Sequence, residues 1–262
     1  MLYSYLTKIV LLVCLSFCVT FCAIGQTPAA IETTLSTALD NSAKYGSYGG
    51  ASDADKLAKN IALIEETMKK NATRSDILHY SFPKLKDKMY IATSRDGRFR
   101  IYSWDLEDGG SMHNFENLFQ YMGRSGKVNM SMPGPDDGGG FYYTDIFQTD
   151  GPSGPIYIVA STSIGSHITA TQAIETYTID GDKLDDKAKF IKTTKGLTNS
   201  ITFAYDPFSV MSYQPERLVL WNAATKSFRF PVVIEDEKDQ NGRVTKKYIT
   251  YKFNGKYFVK VS

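Results

Sequence analysis

The densest group of side chains able to do chemistry lies in the stretch WDLEDGGSMHNFE, where Asp105, Glu107, Asp108, His113 and Glu116 fall within twelve residues. Paired carboxylates beside an imidazole can pass protons in acid/base catalysis or ligate a metal. The spacing decides against a metal. His113 stands eight residues from Asp105 across the Gly109-Gly110 break, and no H-E-x-x-H pattern puts two ligands on one helical face. Asp105, Glu107, His113 and Glu116 are therefore candidate acid/base residues. The competing expectation is a strand that ends in an acidic, Gly-rich turn with Trp104 in the core.

The run Pro133 to Gly140, PGPDDGGG, reads as a loop. Asp136 and Asp137 there could coordinate Ca²⁺ with help from backbone carbonyls, or the Gly-rich loop could close over a ligand; a solvated connector is the competing expectation. No Gly-Lys-Ser/Thr follows, which excludes a phosphate loop. Tyr142 and Tyr143, with Phe147 and Tyr157, could line a carbohydrate or peptide surface, although the same alternation suits the two faces of a sheet. Glu235 to Gly242, EDEKDQNG, begins like a calcium loop but lacks the closing carboxylate and reads as an exposed hairpin tip. Ser163 or Ser166 with His167 lacks the G-x-S-x-G elbow of a hydrolase nucleophile. The expectation is that no metal and no cofactor is needed.

These residues must be positioned by the elements around them. Thr27 caps and Pro28 opens a predicted helix to about Lys44, with Ile31, Leu35, Ala38 and Leu39 at helical spacing. After the breaker GSYGGAS, a second helix is predicted over Asp53 to Lys70. Ser52 and Asp55 form an approximate capping box, and Leu57, Ile61, Ile64 and Met68 form one apolar stripe. From Ile77 onward the period becomes two. Predicted strands cover Met89 to Ser94, Arg98 to Asp105, Phe141 to Thr149, Pro155 to Ser163, Gln172 to Ile179, Ala188 to Lys192, Ser200 to Tyr205, Arg217 to Trp221, Ser227 to Ile234, Val244 to Phe253 and Lys256 to Val261. Asp96-Gly97, Asp180-Gly181, Asn241-Gly242 and Asn254-Gly255 mark hairpin turns. Ser111 to Met122 suits either a strand or a short helix. A loose recurrence near 78–104, 141–191 and 201–235 predicts antiparallel meanders, arranged as an open propeller-like stack or a β-sandwich. The expected fold class is thus mainly β, preceded by two N-terminal α-helices.

Residues 1–25 read as a signal peptide. Lys8 precedes the apolar run Ile9 to Phe21, and Ala23 and Gly25 suit cleavage before Gln26. A retained membrane anchor is the alternative, with an apolar stretch at the short edge of what spans a bilayer. All three cysteines, Cys14, Cys18 and Cys22, fall in this segment, so cleavage would leave a cysteine-free chain without disulfides or thiol nucleophiles. The expected organisation is a signal peptide over 1–25, a helical pair over 26–76 and an antiparallel β domain over 77–262. The expected location is periplasmic or secreted, with no membrane span after cleavage. The net charge of +2, one of it from Lys8, argues against a nucleic-acid partner.

The run RFRIYSWDLEDGGSMHNF, together with the closing YITYKFNGKYFVKV, resembles a group of exported bacterial proteins of unknown function over about residues 77–262. The resemblance implies export and a β-rich body and transfers no catalytic residue. The first functional expectation is a non-enzymatic binding or scaffolding protein of the cell envelope, with an envelope protein or a carbohydrate as partner. The alternative is a hydrolase of glycan or peptide built on the acidic cluster and His113. A third expectation, an inhibitor or chaperone subunit, requires the Leu57, Ile61, Ile64 and Met68 stripe to stay exposed.

Overall fold

The computed structural model describes residues 26–110, 112–133, 140–210, 217–237 and 239–261. The segment expected to be a signal peptide, and with it the cysteines, lies outside the described residues, as do Asp136 and Asp137. Helix α1 spans Pro28–Tyr45, and the Thr27 hydroxyl accepts from the Ala30 amide at 3.2 Å. Helix α2 spans Ala54–Asn71. Its cap is Asp53, whose carboxylate accepts from the Lys56 amide at 3.1 Å, and not Ser52. Asp serves as well as Ser at this position, so the register of the helix chooses between neighbours. A five-residue helix absent from the sequence reading, α3 (Ser75–His79), follows at once.

The two long helices lay their apolar stripes on a sheet. Ile31, Leu35, Ala38 and Leu39 of α1 and Ile64 and Met68 of α2 share one core with Tyr102, Trp104 and Leu118. Ile64 and Met68 are buried and Ile61 packs against the same core. With Leu57 half-buried, the stripe is not the exposed face that the inhibitor or chaperone expectation requires. Full burial of a side chain such as Leu35 or Ile64 contributes about 1.5–3 kcal/mol. Glu32 pins the layer: buried, it accepts from the Tyr80 hydroxyl at 3.0 Å and the Lys84 amide at 2.7 Å.

The β body is mainly antiparallel. Sheet one pairs β1 (Tyr90–Thr93), β2 (Phe99–Asp105), β3 (Phe115–Met122) and β4 (Val128–Ser131) in chain order. The ambiguous segment is thus strand β3. Its even positions Leu118 and Gln120 pair across β2 with Tyr102 and Arg100 on the helix side, while Phe119 and Tyr121 pair with Ile101 and Phe99 on the other. Sheet two is built from β5 (Phe141–Gly151), β6 (Gly154–Ser166), β7 (Thr169–Asp180) and β11 (Ser200–Tyr205), with β8 (Lys183–Asp185) on β7. Sheet three takes β9 (Ile191–Thr193), β10 (Gly196–Thr198), β12 (Leu220–Asn222), β13 (Ser227–Ile234), β14 (Arg243–Phe253) and β15 (Phe258–Lys260). Its β15–β9 pair is the one parallel pairing among the described strands.

Three cores define the layer order. The first lies between helices and sheet one, the second joins Phe99, Ile101 and Phe119 to Tyr143, Tyr157 and Val159, and the third joins Ile156, Ile158 and Ile174 to Phe228, Phe230 and Phe258. Helices, sheet one, sheet two and sheet three therefore stack face to face as an open sandwich. The third predicted repeat, 201–235, is split between sheets, because β11 pairs with β7 in sheet two while β12 and β13 lie in sheet three. Among the described residues no helix is long and apolar enough to cross a membrane.

The hairpin tips fix which end of the stack each loop occupies. At Asp96-Gly97 the glycine holds φ of +69°, a conformation costly for a residue with a Cβ. The Asp96 carboxylate accepts from Ser94 Oγ at 2.6 Å and Arg98 N at 3.0 Å, and its second oxygen accepts from the Tyr157 hydroxyl of sheet two at 2.9 Å. One turn thus closes a hairpin and ties two layers.

Candidate functional site

Strand β2 ends at Asp105, and the chain doubles back to β3 through residues 106–114. Glu107 sits in the left-handed region at φ +57°, and its amide donates to Asp105 Oδ1 at 2.8 Å. Such a backbone on a residue with a Cβ stores about 1–2 kcal/mol, held here by the surrounding bonds. The Leu106 amide donates to the Asn114 carbonyl at 2.8 Å, which closes the loop and brings His113 back over the strand end. His113 Nδ1 then lies 2.5 Å from Asp105 Oδ2. The carboxylate can only accept, so Nδ1 carries the proton and Nε2 is left as the basic nitrogen. Tyr48, from the α1–α2 link, stacks on the imidazole at 4.8 Å and 11°. The neighbouring Ser47 amide donates to the Glu107 carbonyl at 2.8 Å and holds that link in place.

Two small cavities flank Asp105. One of about 270 Å³ is bounded by His113, Ser103, Tyr90 and Phe115; the other, of about 200 Å³, by Glu107, Asp40 and Ser42. Lys88 borders both, with its ammonium donating to Asp40 at 2.6 Å and to Ser36 at 2.9 Å. Burial pushes the Glu107 carboxyl above its usual range, the nearby Asp105 adds to this and His113 opposes it. Asp105, Glu107 and His113 therefore converge. Glu116 does not: it pairs with Trp104 on the helix side of sheet one, beside Glu65 and Lys69. Alternation along a strand separates it from the Asp105 face, a parity that the loop between them hides in the sequence. Among the described residues no group of three His, Cys, Asp or Glu is placed to hold a metal ion.

Tyr142 and Tyr143 are not a binding surface. They are 3% and 4% exposed. Tyr142 stacks on Tyr90 at 4.3 Å, and Tyr143 meets Phe119 edge-on at 5.1 Å. Phe147 stacks on Trp221, and Tyr157 is buried. These aromatics join the layers together. Residues 235–237 and 239–242 lie in the β13–β14 hairpin tip, where Arg243 pairs with Asp239 at 2.7 Å.

A second feature, at the other end of the stack, escaped the sequence reading. Antiparallel strands return alternate turns to the same end. The turns before β2, after β3, between β5 and β6, and between β14 and β15 therefore gather opposite the Asp105 end. They surround a cleft of about 850 Å³ that reaches all three sheets. Its walls carry Arg98, Arg124, Lys189 and Lys256 against Asp180 and Asp185. None of these four cations forms an ion pair among the described residues. Arg98 is anchored, donating from Nη2 to the Met122 and Gly123 carbonyls at 3.0 and 2.9 Å. Arg124 donates to the Ser153 carbonyl at 3.1 Å. The available signal was a basic residue directly after a turn glycine, as in Asp96-Gly97-Arg98 and Asn254-Gly255-Lys256.

Comparison of the chain with protein-family models, with curated proteins and with solved structures finds no match. Any functional argument therefore rests on the two ends of the stack.

Proposed function

We propose that this chain is an exported binding protein of the cell envelope that takes a multiply anionic ligand in the cleft between its three sheets. The export half of the reading rests on the signal-peptide layout of residues 1–25 and on the confinement of every cysteine to that segment. The binding half rests on one observation: four cations that form no ion pair among the described residues line, together with two carboxylates, about 850 Å³ of space in a chain of net charge only +2. Positive charge concentrated at one cleft of a nearly neutral protein raises the local concentration of anions and speeds their association. Titrating the full-length protein with an anion panel by calorimetry tests the reading. Arg124→Gln and Lys256→Gln should each weaken binding about threefold, the effect of one exposed charge contact. Unchanged affinity in both variants removes the cleft from the function.

The pairing of His113 with Asp105 beside a cavity favours a second reading, a hydrolase of glycan or peptide. A fixed imidazole with a basic Nε2 can take a proton from water. Turnover of chromogenic ester and glycoside substrates by the native chain, lost in His113→Gln, would support it. A native chain inert on both removes it.

A further inference from the structure

We infer that the occupant of the cleft is an acidic saccharide chain, an extended sugar polymer bearing carboxylates at intervals; the inference rests on the anion-binding reading above. The first argument is the spread of the charges. Arg98 and Arg124 stand at turns of sheet one, Lys189 precedes β9, and Lys256 lies in the β14–β15 hairpin of sheet three. A single small anion cannot answer cations that arrive from separate layers around about 850 Å³, whereas a chain with repeated charges can.

The second argument separates a saccharide from other polyanions. Asp180 and Asp185 line the same cleft as the cations, and both are exposed. A carboxylate only accepts hydrogen bonds. A polymer that offers nothing but phosphate oxygens meets repulsion there, while sugar hydroxyls donate to these same groups. The third argument is the remaining lining. The half-buried rings of Tyr257 and Phe190 border the cleft, Phe190 packing against the third core and Tyr257 carrying the Lys256 ammonium 5.2 Å from its centroid; the apolar face of a pyranose packs on such a ring, with a cation beside it for a carboxylate.

The test uses the full-length protein and three probes of equal length: an oligomer of galacturonic acid, its methyl ester and linear polyphosphate. The acidic oligomer should bind most tightly, and esterification should weaken it at least about tenfold. Tyr257→Ala should weaken the acidic oligomer about fivefold and leave polyphosphate unchanged. Asp180→Asn should weaken the oligomer and strengthen polyphosphate, a reversal that misfolding cannot produce. If polyphosphate binds more tightly than the oligomer, the saccharide inference falls while the anionic cleft stands. If the ester binds as well as the acid, or if no probe binds, both fall.

Discussion

At the scale of the residue, the interior holds polar groups whose treatment by the fold can be measured. Glu175 of β7 lies between sheets one and two with the Tyr143 and Tyr177 hydroxyls as hydrogen-bond donors. Burial raises its carboxyl above the ordinary glutamate range, and Asp186 adds to the rise, so the phenols only partly compensate. The folded chain therefore holds this proton more tightly than the unfolded chain does. Stability from Glu175 is complete below the unfolded glutamate value and is lost as pH rises through the higher folded value. Glu175→Gln should flatten that slope and leave the variant at least as stable as the native chain at neutral pH. Melting temperatures from about pH 4 to about pH 8 check this, and an unchanged slope rejects it. Thr149 poses a simpler case. It is 3% exposed, and its hydroxyl finds no partner among the described residues. Thr149→Val keeps the shape and removes the unmet group, so denaturant unfolding should show a gain of up to about 1 kcal/mol.

At the scale of the element, the helical layer was the most legible part of the chain and its contacts the least. The caps, the spacing of Ile31, Leu35, Ile64 and Met68, and the glycine turns all express local backbone chemistry, which a sequence displays directly. Which surface the stripe covers is a question of long-range packing, and the answer, sheet one, excluded a binding hairpin. The same division holds at the candidate site. Asp105, Glu107 and His113 meet because one short loop closes on itself, so nearness in sequence carries over into space. Glu116 is as near in sequence, but it lies one strand away on the opposite parity. The helical layer also supplies an internal control. Ile64 is fully buried, while its neighbour Leu63 is 41% exposed. Ile64→Ala should cost about 2–4 kcal/mol through lost burial and a residual cavity, whereas Leu63→Ala should cost under about 0.5 kcal/mol. Similar losses at both positions in denaturant melts would mean that α2 is not docked on sheet one.

At the scale of the whole molecule, the cleft exists only because three sheets stack in register and return their turns to one end. Arg98 and Lys256 each follow a turn glycine in the sequence, but that local pattern does not say that the two meet; only the stacking of the sheets places both at the same pole. The dependence runs in both directions. A ligand that bridges turns of all three sheets binds the folded stack and not the separated chain, so it must stabilise the fold by mass action, by about 2.7 kcal/mol at one hundred times its dissociation constant. The galacturonate oligomer should therefore raise the melting temperature of the full-length protein, and more of it should raise it further. Because three of the four cations, Arg124, Lys189 and Lys256, are exposed, the gain should shrink as salt shortens the screening length from about 10 Å at 0.1 M to about 3 Å at 1 M. Calorimetric scans at the two salt concentrations, with and without oligomer, measure both effects. Ile64→Ala lowers the starting temperature through the helical layer, far from the cleft, and should leave the ligand-induced gain intact. A gain indifferent to salt would show that the oligomer is held by something other than the four cations.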